Sequence, residues 1–326
     1  MLSFPLRGGM PSGADDSTLA VDFLVAIVVA TVAAGTPLAL AALGELVTEK
    51  SGVLNLGVEG MMLAGAVAGF AGAATTGSVW LGVACGIVAG IVLSLVFAVA
   101  VITLQANQVA TGLALAILGA GLSAFAGQPF VSQSIDGIRA APLPLLGELP
   151  VLGGLFFSFD PLVYLSLALF AVVIWFFART RAGLVLRAVG ESPEVAHEVG
   201  YSVAKIRYAA TLFGGAMAGL AGAYLSLAYT PLWVEGLTAG RGWIALALVV
   251  FATWRPARVL AGAYLFGGVT VLQFHAQGFG VDVPSQLLSA LPYLATIVVL
   301  VVISRDAALV RLNAPASLGK PFHAGD

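Results

Sequence analysis

Charge is scarce in this chain of 326 residues. Only 30 side chains are charged, the net charge is -2, and no Asp, Glu, Lys or Arg occurs from Gly60 to Ile135. A helix needs about 20 apolar residues to span a bilayer, so this uncharged stretch alone accommodates three spans. Hydrophobic residues make up 60% of the chain, and the mean hydropathy is +1.03. The composition predicts an all-α, polytopic bundle of transmembrane helices that contacts lipid and does not bind nucleic acid.

Cysteine and the common catalytic motifs are also nearly or wholly missing. Cys85 is the single cysteine, which excludes an internal disulfide and a thiolate metal site, and we expect it to be a buried small side chain. The chain has no phosphate-binding loop of the G-x-x-x-x-G-K-[ST] type, no H-E-x-x-H and no G-x-S-x-G. Its three histidines are scattered. We therefore expect no enzyme activity, metal or cofactor in this chain.

The apolar runs predict nine spans, within a range of about eight to ten. The seventh is short enough to be a half-span, and the first is too long for a secretory signal and is not preceded by a basic segment. The spans are expected near residues 20–43, 54–77, 79–104, 108–127, 161–178, 208–229, 241–254, 259–275 and 286–304.

The distribution of Lys and Arg predicts the orientation. If residues 179–207 are cytoplasmic, eleven Lys and Arg lie inside and three lie outside. The carboxyl terminus is then cytoplasmic, and residues 128–160 form an external loop. The expected division is a tail over 1–19, a membrane domain over 20–305 and a cytoplasmic tail over 306–326.

Residues 179–207 form an island of charge that holds eight of the 30 charged side chains. Within it, Ser192 can cap a short helix, Pro193 suits the first helical position and Gly200 can end the helix. About seven residues cannot persist alone as a helix in water. The island therefore indicates either a docking element for a soluble partner or an ordinary solvated loop, with Val195, Ala196 and Val199 as a small apolar face.

Residues 44–60, GELVTEKSGVLNLGVEG, interrupt two apolar runs. Their glycines weaken a continuous helix, and Ser51 or Asn55 could cap a new one. This pattern predicts a broken or re-entrant helix near residues 50–60, and an ordinary charged turn is the alternative. Broken helices at membrane depth are buried or line a wet cavity, and transporters bind solutes at such places.

Few polar side chains are available for a solute path. Glu59 is an intramembrane carboxylate, for which a functional role is the default, although a first-turn Glu on its own helix dipole is the alternative. The amides near residue 107 could equally form a polar hairpin tip. Uncharged amides and hydroxyls suit a neutral, hydroxyl-rich solute. The candidate path residues are Asn55, Glu59, Gln105, Asn107, Gln108 and Thr111.

Small residues at four-residue spacing predict close helix packing. They are Gly82, Gly86 and Gly90, Gly65 with Gly69, and Gly215 with Gly219.

Four segments together resemble the permease subunits of bacterial ABC importers. They are GELVTEKSGVLNLGVEGMMLAGA, LQANQVATGLALAILGAGLSAF, AVGESPEVAHEVGYSVAKIRY and GRGWIALALVVFATWRPARVLAGAYLFG. The likeness covers residues 30–305 and is greatest to the nucleoside-type branch of the ribose and branched-chain amino-acid permease group. Similar nucleoside permeases tend to have Asn where this chain has Ala116, and Gly-Arg where it has Ala252 and Thr253.

The resemblance implies a multi-pass protein of the bacterial inner membrane that pairs with a second permease, either a different chain or a copy. It also implies a separate ABC ATPase in the cytoplasm and an extracytoplasmic substrate-binding protein. The island would carry the coupling helix that docks on the ATPase and links ATP binding to alternating access. Its residues are Ser192, Pro193, Glu194, Ala196, His197, Glu198 and Gly200.

Three alternatives remain at this point. The cargo could be a simple sugar or a branched-chain amino acid. An ion-coupled secondary transporter should show repeated broken helices and midplane ionisable groups, and only one such break is clear. An intramembrane enzyme lacks a catalytic motif.

Overall fold

The computed structural model describes residues 16–141, 152–278 and 313–323, with isolated residues between 290 and 301. This part of the chain is almost entirely helical, as the composition predicts, and its one β contact is an isolated bridge between Ser134 and Leu232. The helices are α1 (Asp16–Lys50), α2 (Val58–Thr76), α3 (Val79–Ala98), α4 (Gln108–Gly127), α5 (Leu152–Phe156), α6 (Pro161–Arg179), α7 (Arg181–Glu191), α8 (Pro193–Glu198), α9 (Val203–Tyr224), α10 (Arg241–Phe251) and α11 (Pro256–Gly278).

Contacts between distant residues fix how the helices run. Lys50, Arg187, Glu191 and Arg255 interact electrostatically at one end of the bundle, which we call the charged end. The opposite end, which we call the far end, contains Asp160, whose carboxylate contacts Tyr224. Helices α1, α3, α6 and α10 run towards the charged end, and α2, α4, α9 and α11 run away from it. Short connections join α1 to α2, α2 to α3, α3 to α4 and α10 to α11, so the two helices of each pair run antiparallel.

Six helices in the described part of the chain are long and apolar enough to cross a membrane. They match the first six predicted spans, although two of them continue into π-helical turns at Val99–Thr103 and Leu225–Tyr229. The predicted seventh span is α10, which has 11 residues and rises about 16 Å, roughly half of a bilayer's apolar thickness. The predicted eighth lies within α11, and the ninth falls mostly outside the described residues.

The break after the first span lies within the predicted range of residues 50–60. Helix α1 continues unbroken through Gly44 to Lys50, with Pro37 inside it. The chain then makes a buried turn over residues 51–57, and α2 starts after Gly57. Neither Ser51 nor Asn55 occupies the cap position of α2. Asn55 instead accepts a hydrogen bond from the Gly57 N–H at 3.0 Å, which shapes the turn.

The predicted glycine faces meet one another in the centre of the bundle. A Cβ on Gly90 would lie 2.1 Å from the Gly215 carbonyl oxygen, and one on Gly65 would lie 2.4 Å from that of Gly219. Such distances leave no room for a side chain, so α2, α3 and α9 touch backbone to backbone. Apolar side chains on the outer faces of α3 and α4 are exposed, as expected for contact with lipid. Cys85 is also exposed on α3, so the expectation that it is buried was wrong.

Candidate functional site: the charged end and the far-end cavity

Helix α8 begins at Pro193 and ends at Glu198, within the predicted limits. Ser192 lies at the cap position, but its hydroxyl makes no capping hydrogen bond and lies 3.4 Å from a Glu194 carboxylate oxygen. Gly200 follows the helix with φ of +97°, a conformation that glycine adopts without strain. The helix therefore ends where the sequence predicts.

One face of α8 is buried and the other is exposed. Pro193 and Ala196 are buried, and Ala196 packs with Val189 of α7 and Val203 of α9. Val195 and Val199 are 56% and 71% exposed, and Glu194, His197 and Glu198 are also exposed. The sequence predicts one apolar face over Val195, Ala196 and Val199. In the structure, Ala196 packs against the bundle and the two valines are exposed. The outward face combines two valines with charged side chains.

The segment Asn313–His323, which we call the tail strap, ties several elements together at the charged end. Ser317 N–H and Oγ both donate to the Gly190 carbonyl oxygen, at 3.0 and 2.7 Å. Gly319 N–H donates to the Gly52 carbonyl oxygen at 3.1 Å. The Phe322 ring meets the His197 ring edge-on at 5.6 Å. The strap therefore joins α8 to the turn between α1 and α2.

Arg207 of α9 is the buried cation of this arrangement. It is 3% exposed and donates to the Ser51 carbonyl, the Lys320 carbonyl and Ser317 Oγ, each at 3.2 Å. A guanidinium supplies several donors in a fixed plane, so one side chain can hold three acceptors. The sequence indicated only that Arg207 belongs to the charged island. Its partners lie 110 or more residues away and leave no local signal.

The turn between α1 and α2 is a polar cluster inside the bundle. Glu45, Glu49, Ser51 and Asn55 are each at most 1% exposed. Glu45 accepts from the Asn55 N–H at 3.0 Å, and Glu49 accepts from the Trp254 indole N–H. Both carboxylates were missed as candidates. Their four-residue spacing in an otherwise apolar helix end was the available signal.

The Glu59 carboxylate accepts hydrogen bonds from residues far along the chain. One oxygen accepts from Thr238 Oγ1 at 2.5 Å and the Gly240 N–H at 2.9 Å, and the other accepts from the Gly242 N–H at 2.6 Å. These donors surround the start of α10, where unpaired N–H groups favour a negative charge. Glu59 therefore caps a different helix from its own. Neither role considered from the sequence includes this contact.

The remaining path candidates divide by position. Gln108 is 5% exposed and accepts from the Leu54 N–H at 2.7 Å, so it joins the turn that contains Asn55. Asn107 caps α4 by accepting from the Ala110 N–H at 3.0 Å, and Thr111 is half-buried one turn later. Gln105 is exposed and donates to the Phe322 carbonyl at 3.1 Å. The structure thus brings Asn55 and Gln108 together and separates Gln105 from them.

A cavity of about 750 Å³ lies at the far end, between α1, the end of α9, α11 and the segments near residues 138 and 159. Asp160, Tyr224, Tyr229, Thr230 and His275 contribute its polar groups. Burial raises the pKa of the Asp160 carboxyl, against the hydrogen bonds that it accepts. None of these residues was a candidate site residue from the sequence, since each lies at or near a helix end and looks locally like a cap or an interface residue.

The fold defines a class. Six long apolar helices in the described part of the chain, packed through glycines, are features of a multi-pass helical membrane protein. Among the described residues, no group of His, Cys, Asp and Glu side chains could hold a metal ion.

Comparison with known proteins identifies the family. Residues 27–303 match the model described as the permease component of the branched-chain amino acid transport system, and the chain belongs to this family. It is 45% identical to a putative glucose ABC transporter permease of Haloferax volcanii over 93% of this chain and 99% of the relative. It is 32% identical to a guanosine ABC transporter permease of Bacillus subtilis over 94% and 98%, and 32% identical to a nucleoside ABC transporter permease of Lactococcus lactis over 81% and 88%.

The chain is therefore a multi-pass permease subunit of an ABC transporter, as the resemblance implied. Relatives of this kind are permease subunits and not themselves ATPases. The family implies a separate ATPase and a substrate-binding protein as partners.

Proposed function

We propose that this chain moves nucleosides inward across the cell membrane, as one permease of an ATP-driven importer. The observation that carries the proposal is α8, a short helix fixed to the bundle by Ala196 and exposing Val195 and Val199 beside charged groups. A separate ATPase could bury these side chains. Two relatives named as guanosine and nucleoside permeases support the cargo.

Helix α8 is the coupling helix in this proposal, and Ser192–Gly200 docks on the ATPase at the cytoplasmic face. Helix α8 packs against Val189 of α7 and Val203 of α9. The tail strap also connects it to the turn between α1 and α2. ATP binding would move α8, and these contacts would carry the motion to the helices. An energy source can shift the permease between outward-open and inward-open states only by binding the two states differently.

The charged end faces the cytoplasm in this proposal, which also places the carboxyl terminus inside. Residues 20–305 form the membrane domain between the two tails. The segment 128–160 then meets the extracytoplasmic binding protein, and the second permease, a different chain or a copy, pairs through the membrane domain. The residues that we propose for the solute path are Asn55, Glu59, Gln105, Asn107, Gln108 and Thr111. Glu59 acts indirectly, by accepting hydrogen bonds from the start of α10.

A simple sugar is the second candidate cargo, and a specific observation favours it. The relative at 45% identity is named as a putative glucose permease. Ala116, where nucleoside permeases tend to have Asn, is buried against Gly60 at the α2–α4 contact, so this chain has no polar side chain there. Nucleosides and sugars share a ring that carries hydroxyl groups.

Uptake by the reconstituted transporter tests the proposal. Proteoliposomes that contain this permease, its partner permease and the ATPase, supplied with the binding protein, should accumulate labelled guanosine only when ATP is enclosed with the ATPase. D-glucose and leucine are the comparison solutes. Uptake of glucose without guanosine would replace nucleoside by sugar, and ATP-independent uptake driven by an ion gradient would contradict the ABC mechanism.

A further inference from the structure

The far-end cavity is a partly open cleft, bordered by elements that meet only in the folded chain. Ala30 and Ala33 of α1, Phe159, Tyr229 and Val271 of α11 form its apolar and aromatic walls. Its volume of about 750 Å³ lies in the range of about 300–1,000 Å³ that is typical of small-molecule sites. The cavity is therefore large enough for a nucleoside or a monosaccharide.

Asp160 and Tyr224 form the polar centre of the cavity. One Asp160 oxygen accepts from the Leu162 and Val163 N–H groups at 2.9 and 3.1 Å, which fixes the carboxylate at the start of α6. The other oxygen accepts from the Tyr224 hydroxyl at 3.1 Å. A carboxylate oxygen accepts more than one hydrogen bond, so this second oxygen retains capacity for a donor in the cavity.

His275 of α11 adds a second acceptor among the residues that line the cavity. Its Nδ1 lies 2.9 Å from the Val271 carbonyl oxygen, which can only accept, so Nδ1 carries the proton. In the neutral ring, Nε2 is then an acceptor. Two such acceptors select a solute that offers hydroxyl donors. The described residues that line the cavity include no Lys or Arg to pair with a carboxylate solute, which disfavours an amino acid.

The cavity is mechanically linked to the charged end by α9. This helix begins at Val203, contacts the tail strap through Arg207 and ends at Tyr224. The π-helical turn over Leu225–Tyr229 follows, and its residues Ala228 and Tyr229 line the cavity. Such turns are frequent at functional sites. A displacement of α9 would move Tyr224 relative to Asp160, because α6 carries the carboxylate.

We infer that this cavity is a solute site in which the Asp160 carboxylate, positioned with Tyr224, accepts hydrogen bonds from adjacent hydroxyls of a sugar ring. The ring belongs to a nucleoside or a simple sugar, and the aromatic walls at Phe159 and Tyr229 pack on its apolar face. This inference rests on the proposed function for its cargo, and it adds the residues that recognise that cargo.

The test compares guanosine with 2′,3′-dideoxyguanosine, which lacks the adjacent hydroxyls, in uptake by the assembled transporter. Asp160→Asn keeps an oxygen that can cap α6 but loses the charged acceptor. We expect it to raise the KM for guanosine about tenfold and to leave uptake of the dideoxy compound nearly unchanged. Tyr224→Phe should act in the same direction. Tyr208→Phe, the same change at the other end of α9 where Tyr208 contacts Thr103, is the matched control.

Two results separate this inference from the proposed function. If guanosine enters with ATP but Asp160→Asn retains the full preference for the ribose hydroxyls, the inference is overturned and the function stands. If only D-glucose enters, the nucleoside cargo fails, and the site is then judged by whether Asp160→Asn raises the KM for glucose.

A binding measurement tests the site without transport, so it also applies to variants that fail to transport. In a Cys85→Ala background, Ala33→Cys places a thiol in the cavity. Guanosine or D-glucose at about twice its Kd or above should slow the reaction of this thiol with a maleimide at least about threefold. Thr76→Cys, exposed at the far end outside the cavity, should react at the same rate with and without solute. Equal rates at both positions with either solute would overturn the inference.

Discussion

Glu59 at the first turn of α2 accepts a hydrogen bond of 2.6 Å from the Gly242 N–H at the first turn of α10, 183 residues later in the chain. This contact fixes where α10 begins. Residues 230–240, which precede α10, are irregular. Helix α10 itself has only about half the length of a membrane span. Irregular backbone is tolerated inside a bilayer only when protein groups or water satisfy it. Glu59 accepts hydrogen bonds from the backbone N–H groups of Gly240 and Gly242 at the start of α10.

Replacing Glu59 by Gln should destabilise the protein. The new amide group cannot accept from all three donors, so at least one buried donor near Gly242 loses its partner. We expect the free energy of unfolding in detergent to fall by about 1–3 kcal/mol, with Glu235→Gln, an exposed carboxylate on the same segment, unchanged. Loss of uptake at unchanged stability would indicate that Glu59 acts directly on the solute.

Replacing Val195 by Asp should uncouple the permease from the ATPase. The charge would have to be buried when α8 docks, so we expect affinity for the ATPase to fall about tenfold or more. Membrane insertion should be normal. Val131→Asp is the matched control, because Val131 is 54% exposed and lies at the far end. Coupled ATPase activity at the wild-type level in Val195→Asp would contradict the docking assignment.

Replacing Gly90 by Ala should disrupt the contact between α3 and α9. The added methyl group would lie 2.1 Å from the Gly215 carbonyl oxygen, and overpacking of this kind costs about 1–3 kcal/mol. Gly121→Ala has no neighbour within 4 Å and should stabilise α4 by up to about 1 kcal/mol, since Ala is the better helix former. Opposite signs in a chemical unfolding experiment are the expected result, and equal signs would contradict the packing.

Replacing Arg207 by Lys should loosen the tail strap while preserving the charge. A lysine cannot reach the Ser51 and Lys320 carbonyls and Ser317 Oγ together, so we expect a loss of about 1–3 kcal/mol. Proteolysis of the tail should become faster at the same time. Arg187→Lys, an exposed arginine at the same end, is the control. Unchanged proteolysis in Arg207→Lys would show that the strap is held without this side chain.

The stability of the protein should depend on pH through Asp160. Burial raises its pKa in the folded state above the unfolded value of about 3.9. Folding therefore favours the protonated form, and this contribution is present below the unfolded pKa and is lost as pH rises through the folded pKa. The difference in unfolding free energy between the wild type and Asp160→Asn should change across that window. A constant difference from pH 4 to 7 would contradict the shift.

Part of the candidate site was predictable because its signals are local. Pro193 and Gly200 delimit α8 through their own backbone preferences, and Asn107 caps α4 with a donor three residues away. The buried turn between α1 and α2 was predicted in outline, because charges and glycines interrupt two apolar runs. The functions of these residues stay predictions, since geometry alone does not test them.

The cavity and the tail strap could not be predicted in the same way. Asp160 looks like an ordinary helix cap in the sequence, and only Tyr224 and His275 from other helices make it part of a cavity. Ser317 lies in a polar tail with no regular pattern, and its partners at Gly190 and Arg207 are more than 100 residues away.

By itself, the sequence determined that this protein crosses a membrane many times, where its long helices run and which helix faces carry the small residues. Apolar length and glycine spacing encode these properties, because each depends on residues within a few turns of one another. The tertiary structure alone decided which helices touch, that Glu59 caps α10 and that Arg207 holds the tail. The hydropathy of the six described spans ranges from 1.3 to 2.8, but it does not specify which helices pack together. These contacts form only when the packed helices bring distant polar groups together.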